Sequence, residues 1–293
     1  MKVAGLQEAI ARIPAGSVLA LGGNTMHRVP FGAVREIVKR HKEVSLITPA
    51  GSFAVDALCA AGLVKHISFA YVGYENFGPA LFFQQAVEQG RTKICKYNLP
   101  SLIAGLRAAS FGLSCMPLST EDSSQLSDAN GWREIRDPYS GQAYLAIPAL
   151  QPDWAIIHVQ QADILGNARI YGSQFEDVLL TRAARHVLVT CEELLPAYAF
   201  TDQPEDIDIP ASLVDTVVYA PRGAWPAACY EHYSLSADEI GKLVSLRRPE
   251  DLLAWLECLS PINDRSPVLE TPLAQEYLRA AGNGGVERGT AHG

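Results

Sequence analysis

One carboxylate and one glycine-rich turn are the clearest candidates for chemistry in this sequence. Glu75 follows an apolar run in "YVGYENFGP", and Gly22, Gly23 and Asn24 follow the apolar run "SVLAL". A carboxylate at the end of a strand can act as a nucleophile, or it can hydrogen-bond a loop. Glycines at such a point let a ligand approach the backbone, although a tight turn explains them equally well. The sequence therefore makes Glu75 a candidate catalytic residue and the glycine turn a candidate substrate-binding element.

Familiar motifs do not account for these residues. The glycine pair lacks the third glycine of a dinucleotide-binding turn and the Lys-Ser/Thr of a phosphate loop.

His158 lies in the apolar run "WAIIHVQ", which favours a hydrogen-bonded core histidine over a catalyst. Glu192 ends another apolar run. Its carboxylate could either reach a cleft or cap a helix or loop, and the sequence does not decide between these two roles. The six cysteines form no CxxC pair, so we expect reduced, buried thiols and no metal site.

The elements that must position these residues follow from the alternation along the chain. Short apolar runs such as "VSLITPA" alternate with amphipathic stretches such as "PFGAVREIVKRHK". This alternation predicts an α/β fold, an open and mostly parallel sheet with helices on both faces. We expect a single domain over residues 1–276, with a loop insertion near 116–144 and a helix from residue 271. The tail, 277–293, has few apolar residues and is expected to be mobile.

Composition narrows the class of protein. A formal net charge of −8 over 293 residues argues against a nucleic-acid binder. No apolar run reaches the roughly 18 residues of a membrane span, so no membrane association is expected. The N-terminus resembles a short amphipathic helix, not a signal peptide, which predicts a cytoplasmic location.

Five blocks in order resemble the α subunits of family I coenzyme A transferases, that of glutaconate CoA-transferase among them. Together they span most of the chain. The block at 137–172 is the most specific, because it combines a proline-rich segment, the buried strand that follows it and an Asp-x-x-Gly-Asn turn. The blocks are residues 13–39, 56–78, 137–172, 184–196 ("ARHVLVTCEELLP") and 221–233 ("PRGAWPAACYEHY").

The resemblance implies a function and a mechanism. Such enzymes move coenzyme A from an acyl-CoA to a carboxylic acid through a glutamate that forms an acyl anhydride and then a glutamyl-CoA thioester. In two-subunit members this glutamate lies in a Ser-Glu-Asn-Gly motif of the β subunit. Here "YENFG" lacks the serine and inserts Phe77, so the nucleophile is expected on a homologous partner and not at Glu75. An α2β2 or larger hetero-oligomer is implied, with acyl-CoA as substrate and no permanently bound cofactor.

Two alternatives stay open: a CoA-ester hydrolase or C–C ring-opening enzyme of the same fold, and a ligand-binding subunit without turnover. The ring-opening branch uses an acid where this chain has "KYNLP", which lacks a carboxylate. For a dicarboxylate acceptor, Ser52, Arg28 and His27 are candidate substrate contacts by position. The resemblance places the glycine turn at the cleft, so Gly23→Ala is expected to lower turnover more than stability, and a backbone N–H there could stabilise an oxyanion.

Overall fold

A computed structural model describes residues 2–119, 124–197, 199–201, 203–266 and 268 of the chain. The strands are β1 (Val18–Leu21), β2 (Val44–Gly51), β3 (Val64–Val72), β4 (Lys93–Lys96), β5 (Cys115–Ser119), β6 (Arg133–Arg136), β7 (Ala143–Pro148), β8 (Trp154–Asp163), β9 (Ala168–Arg169), β10 (His186–Leu195) and β11 (Thr216–Tyr219). The α-helices are α1 (Leu6–Ala11), α2 (Phe31–Lys39), α3 (Phe53–Ala60), α4 (Leu81–Glu88), α5 (Leu99–Ser110), α6 (Ser124–Asn130), α7 (Asp177–Ala183), α8 (Ala237–Ser245) and α9 (Pro249–Cys258).

The main sheet is open and almost entirely parallel. Its strands run in the order β11-β10-β8-β1-β2-β3-β4, and the short β9 pairs antiparallel with β8. β1 is central, because Leu19 lies opposite Leu46 of β2 on one side and opposite Trp154 of β8 on the other. β8 is buried along almost its whole length, which explains the apolar residues Trp154–Ile157 at its start. The predicted sheet is confirmed.

The strand order also indicates where a ligand can enter. From β1 the chain builds outward through β2, β3 and β4, and then returns to the other side of β1 with β8, β10 and β11. The order therefore reverses between β1 and β8. In open parallel sheets the crevice outside the carboxyl ends of the strands at such a reversal is the usual binding site. The glycine turn that follows β1 lies at this point.

Two apolar cores cover the two faces of the sheet. One contains side chains of α2, α3 and α4, such as Ile37, Leu58 and Phe82. The other contains Leu106 of α5 and Leu180 of α7. The predicted placement of helices on both faces is therefore confirmed.

The segment 116–144, which we predicted to be mainly loop, holds regular structure instead. Strands β5, β7 and β6 form a second, antiparallel sheet in that order, and α6 lies between β5 and β6. Ile147 is fully buried and Trp132 is nearly so, packing against Tyr97. The sequence does not indicate this sheet, because β6 is exposed along its whole length and shows no apolar alternation.

Strand β4 was also missed, since it is a short edge strand whose residues are mostly exposed. The helix predicted from residue 271 and the tail 277–293 lie outside the described residues. Among the described helices, none combines the length and the apolar character that crossing a membrane requires.

Candidate active site

Backbone strain is concentrated beyond the carboxyl ends of the strands. Seven described residues other than glycine have a positive φ, and only His41, at the end of α2, lies away from the segments that follow strands. Such conformations are costly and persist where surrounding contacts impose them, typically at functional sites. The other six follow β1, β3, β9 and β11, and they are Thr25, Arg28, Glu75, Phe175, Arg222 and Glu231.

The glycine turn is packed against the protein's own atoms. Gly23 has φ +74°, and a Cβ atom there would lie 2.4 Å from the carbonyl oxygen of His27. A Cβ at Gly22 would lie 2.6 Å from the side chain of Ile157. The steric reason for our sequence-based expectation is therefore wrong, because a side chain at Gly23 would meet backbone and not an open acyl site.

The N–H groups of this turn are also engaged. Gly23 donates its N–H to Asp177 Oδ1 at 2.7 Å, and Gly22 donates to the carbonyl of Ile156 at 3.0 Å. Asn24 donates to His27, and Thr25 donates to Ala50. In this arrangement none of the four N–H groups is free to stabilise an oxyanion. Their role is to fix the position of the loop that carries Thr25.

Glu75 is the exposed carboxylate of the loop that follows β3. Its φ is +50°, and its Oε1 atom accepts a short hydrogen bond from Thr25 Oγ1, a residue that itself has φ +37°. The Glu75 N–H is 3.2 Å from the hydroxyl of Tyr71. The carboxylate thus joins the loops after β1 and β3, on the β2 side of the crevice.

A buried aspartate anchors the Glu75 loop. Asp56 of α3 accepts a 2.9 Å hydrogen bond from the hydroxyl of Tyr74, the residue before Glu75, and a 2.7 Å bond from the N–H of Phe83. Tyr74 is fully buried, so it fixes the loop in the core. Burial raises the pKa of Asp56 to about 6 even though these hydrogen bonds act to lower it.

Asp56 should make stability depend on pH in a defined direction. Its folded pKa lies above its ordinary value of 3.8. The folded state therefore takes up the proton first, and stability should rise as pH falls from about 6 to about 4, by about 3 kcal/mol. Asp56→Asn cannot titrate and should lose this component, and urea unfolding at pH 4.5 and pH 7.5 would measure it. Equal pH dependence of the variant and the parent would contradict the assignment.

Arg28 and Asp177 form a buried ion pair behind the glycine turn. The Arg28 guanidinium donates a short hydrogen bond to Asp177 Oδ2, and it also donates to the carbonyl oxygens of His158 and Ser173. Because the guanidinium is buried and occupied, Arg28 does not offer the free cation that we predicted for a dicarboxylate.

The two other candidates for that contact differ in accessibility. The hydroxyl of Ser52 is buried and donates to the carbonyl of Thr25, so Ser52 supports the loop. His27 is exposed near Phe175. Asn24 is half-buried, with Oδ1 3.2 Å from Thr25 Oγ1. Substrate contact by the glycine turn and by Ser52 stays a prediction.

A second polar cluster lies beneath the loops after β8, β10 and β11. His158 is fully buried, with Nδ1 2.8 Å from Thr190 Oγ1 and Nε2 2.8 Å from Glu192 Oε1. Glu192 also accepts a short hydrogen bond from the Tyr233 hydroxyl and a 2.6 Å bond from the Arg222 N–H. Burial works to raise the pKa of Glu192, but the His158 and Tyr233 hydrogen bonds outweigh it and leave the pKa lowered.

This cluster includes a possible set of metal ligands. One donor atom each from His158, Glu192 and Cys229 lies within 4.8 Å of the others. Burial raises the pKa of the Cys229 thiol to about 12. Both oxygens of Glu192 already accept hydrogen bonds. The arrangement is therefore that of a hydrogen-bonded core cluster, as we expected for His158.

The main sheet, with its order reversed between β1 and β8, defines an open α/β protein, and comparison with known proteins gives the family. The coenzyme A transferase family model matches residues 3–220. The chain belongs to the coenzyme A transferase family.

Relatives within the family differ in their named activities. The A subunit of glutaconate CoA-transferase from Acidaminococcus fermentans is 34% identical over 256 residues, which cover 79% of each chain. The cholesterol ring-cleaving hydrolase IpdA subunit of Rhodococcus jostii is 26% identical over 251 residues, covering 81% of each. An uncharacterized protein of Archaeoglobus fulgidus is 35% identical over 256 residues; the match covers 85% of this chain but only 57% of that protein.

The similar solved structures also differ in their named activities. The crystal structure of the Acidaminococcus fermentans glutaconate CoA-transferase superposes with a TM-score of 0.82 at 30% identity, covering 96% of this chain and 93% of that one. The decarboxylase AibA/AibB superposes with a TM-score of 0.81 at 29% identity, covering 88% and 100%.

Proposed function

We propose that this chain is the α subunit of an acyl-CoA:carboxylate CoA-transferase, and that a homologous β subunit supplies the nucleophilic glutamate. The observation that carries the proposal is the similarity to the A subunit of glutaconate CoA-transferase along the chain, in sequence and in fold. The absence of a Ser-Glu-Asn-Gly motif from the sequence supports a nucleophile on the partner. A cytoplasmic hetero-oligomer, α2β2 or larger, fits the same resemblance.

The reaction divides one exchange into steps that each break one bond to a carbonyl carbon. The partner's glutamate attacks the acyl-CoA, the CoA thiolate leaves, and an acyl-glutamyl anhydride remains. The thiolate then attacks the glutamyl carbonyl, releasing the donor acid and leaving a glutamyl-CoA thioester. The acceptor acid takes the CoA by the reverse of these steps. No resident cofactor takes part, because coenzyme A enters as the thioester.

In this proposal the chain contributes a rigid wall to the site. Thr25 and Glu75 are joined by a hydrogen bond, and Asp56 and Asp177 hold their loops from inside the protein. Side chains held by packing and by buried hydrogen bonds keep their geometry when a ligand arrives. Asn24 lies next to Thr25 in the same wall.

Co-expression tests the proposal directly. The purified chain alone should transfer CoA at the background rate, because it lacks the nucleophile. Together with a homologous chain that carries a Ser-Glu-Asn-Gly motif, it should turn over, and borohydride should trap the glutamyl-CoA thioester on that partner. A partner whose glutamate is replaced by alanine is the control. Rapid transfer by the isolated chain would overturn the proposal and would make Glu75 the nucleophile.

Glu75 also favours a second candidate, hydrolysis or C–C cleavage of a CoA ester. Transfer between two carboxylic acids needs no proton acceptor in this wall. A strained, exposed carboxylate held by Thr25 is suited to take a proton from water, which would then attack a carbonyl carbon. The similarity to the IpdA subunit of the ring-cleaving hydrolase fits this candidate.

The two candidates separate with Glu75→Gln in the α/β complex. If the complex is a hydrolase, this variant should lose about a hundredfold or more in the rate of hydrolysis. If it is a transferase, transfer should fall by only a few-fold. Glu88→Gln is a matched control, since Glu88 is a glutamate on α4, away from the crevice.

A further inference from the structure

Arg222 presents a cation with unused donors at the carboxyl edge of the sheet. It is exposed and follows β11, and its guanidinium carbon lies 5.5 Å from the ring centre of Trp225 and 5.5 Å from that of Tyr233. Within the described ranges, its guanidinium makes no hydrogen bond and no ion pair. Contacts with two rings restrict the side chain while they leave the N–H groups unpaired.

The backbone of Arg222 is held in an unfavourable conformation. Its φ is +57°, and its N–H donates to Glu192 Oε2 at 2.6 Å. Glu192 also binds the hydroxyl of Tyr233, one of the two rings beside the guanidinium. A single buried carboxylate, itself bonded to His158, therefore fixes both the strained residue and part of its aromatic support.

The segment that carries Arg222 is joined to the loop after β1. Gly223 accepts a hydrogen bond from the Gly32 N–H at 2.7 Å, and Ala228 exchanges backbone hydrogen bonds of 2.8 Å with Met26 and Arg28. Arg222 thus belongs to the same edge of the sheet as the loop after β1, on the β8 side of the crevice. Glu75 lies on the other side.

We propose that Arg222 binds an anionic group of the substrate, a carboxylate or a phosphate. An exposed guanidinium that lies beside two aromatic rings and keeps its N–H groups free matches the paired oxygens of either anion. The buried Arg28 is occupied by Asp177 and cannot supply this contact. The inference rests on the proposed function in one respect, because acyl-CoA and organic acids are the substrates that bring such anions to this edge.

Binding measurements on the full chain test the inference without any partner. Calorimetric titrations would use coenzyme A, dephospho-coenzyme A and glutarate as probes. Arg222→Gln should weaken at least one of them by about tenfold or more, and Arg222→Lys should weaken it less. Arg133→Gln is the control, since it removes an exposed arginine from β6 and changes the net charge equally.

The probes identify the source of the anion. If Arg222→Gln loses affinity for coenzyme A but not for dephospho-coenzyme A, Arg222 binds the phosphate that only coenzyme A carries. If it loses affinity for both, Arg222 binds the diphosphate. If it loses affinity for glutarate, Arg222 binds a carboxylate. Unchanged affinities in Arg222→Gln, or equal losses in Arg133→Gln, would overturn the inference. So would the absence of binding of every probe to the parent chain. Because no turnover is measured, failure of the transferase proposal would leave these results interpretable.

Discussion

Gly23→Ala is expected to destabilise the protein by about 3–5 kcal/mol, through backbone strain and steric overlap together. Gly23 has φ +74°, a conformation that alanine adopts only at a cost of about 1 kcal/mol or more. The added methyl carbon would also lie 2.4 Å from the carbonyl oxygen of His27 and 2.6 Å from that of Arg28. The His27 oxygen accepts the Asn24 N–H, so moving it away from the methyl carbon would break a hydrogen bond of the loop.

Gly62→Ala separates the two contributions. Gly62 has φ +71°, but a Cβ there would meet no atom within 4 Å. It should therefore show only the cost of the left-handed backbone, about 1 kcal/mol. Urea unfolding of both variants gives the comparison. Equal losses of stability in the two variants would show that the loop at Gly23 rearranges to accept the methyl group. The effect of Gly23→Ala on turnover would then be the property to examine.

Asp177→Leu is expected to cost about 3–5 kcal/mol, because it leaves the buried Arg28 charge without its partner. Both side chains are almost inaccessible to solvent. The substitution also leaves the Gly23 N–H without its acceptor, at a further cost of about 1 kcal/mol or more.

The double variant Arg28→Met, Asp177→Leu tests the origin of this loss. Removing both charges removes the unpaired ion, so the double variant should be clearly more stable than Asp177→Leu alone. Free energies of unfolding for the single and double variants, measured by urea titration, complete the cycle. A double variant less stable than either single variant would mean that packing, not charge, dominates at this position.

The sequence was sufficient for the main sheet because its signal is strong there. β1, β2, β8 and β10 are largely apolar runs that are buried on both faces, whereas β3 keeps apolar residues at its buried positions and exposes Lys65, His66 and Tyr71. The small sheet could not be predicted in the same way, since Leu145 and Ile147 of β7 are buried against residues distant in the chain and β6 carries no apolar side facing inward.

The candidate site was also only partly predictable from the sequence. Glu75 was accessible to sequence reasoning because strand ends of parallel sheets collect reactive groups. The link between His158 and Glu192 was not, since it depends on β8 and β10 being neighbours, with His158 opposite Thr190. A usable signal did exist. Two ionisable residues inside apolar runs need partners when buried, and each could have been proposed for the other.

The central position of β1 has a consequence for biosynthesis. On one side β1 is covered by β2, which follows directly, but on the other side it needs β8, where Leu19 lies opposite Trp154. A nascent chain that ends before Trp154 therefore exposes an apolar strand edge, the kind of surface that pairs with other chains. The ribosome must add more than half of the protein before that edge can close. Molecular chaperones that bind extended apolar segments would meet this chain during that interval.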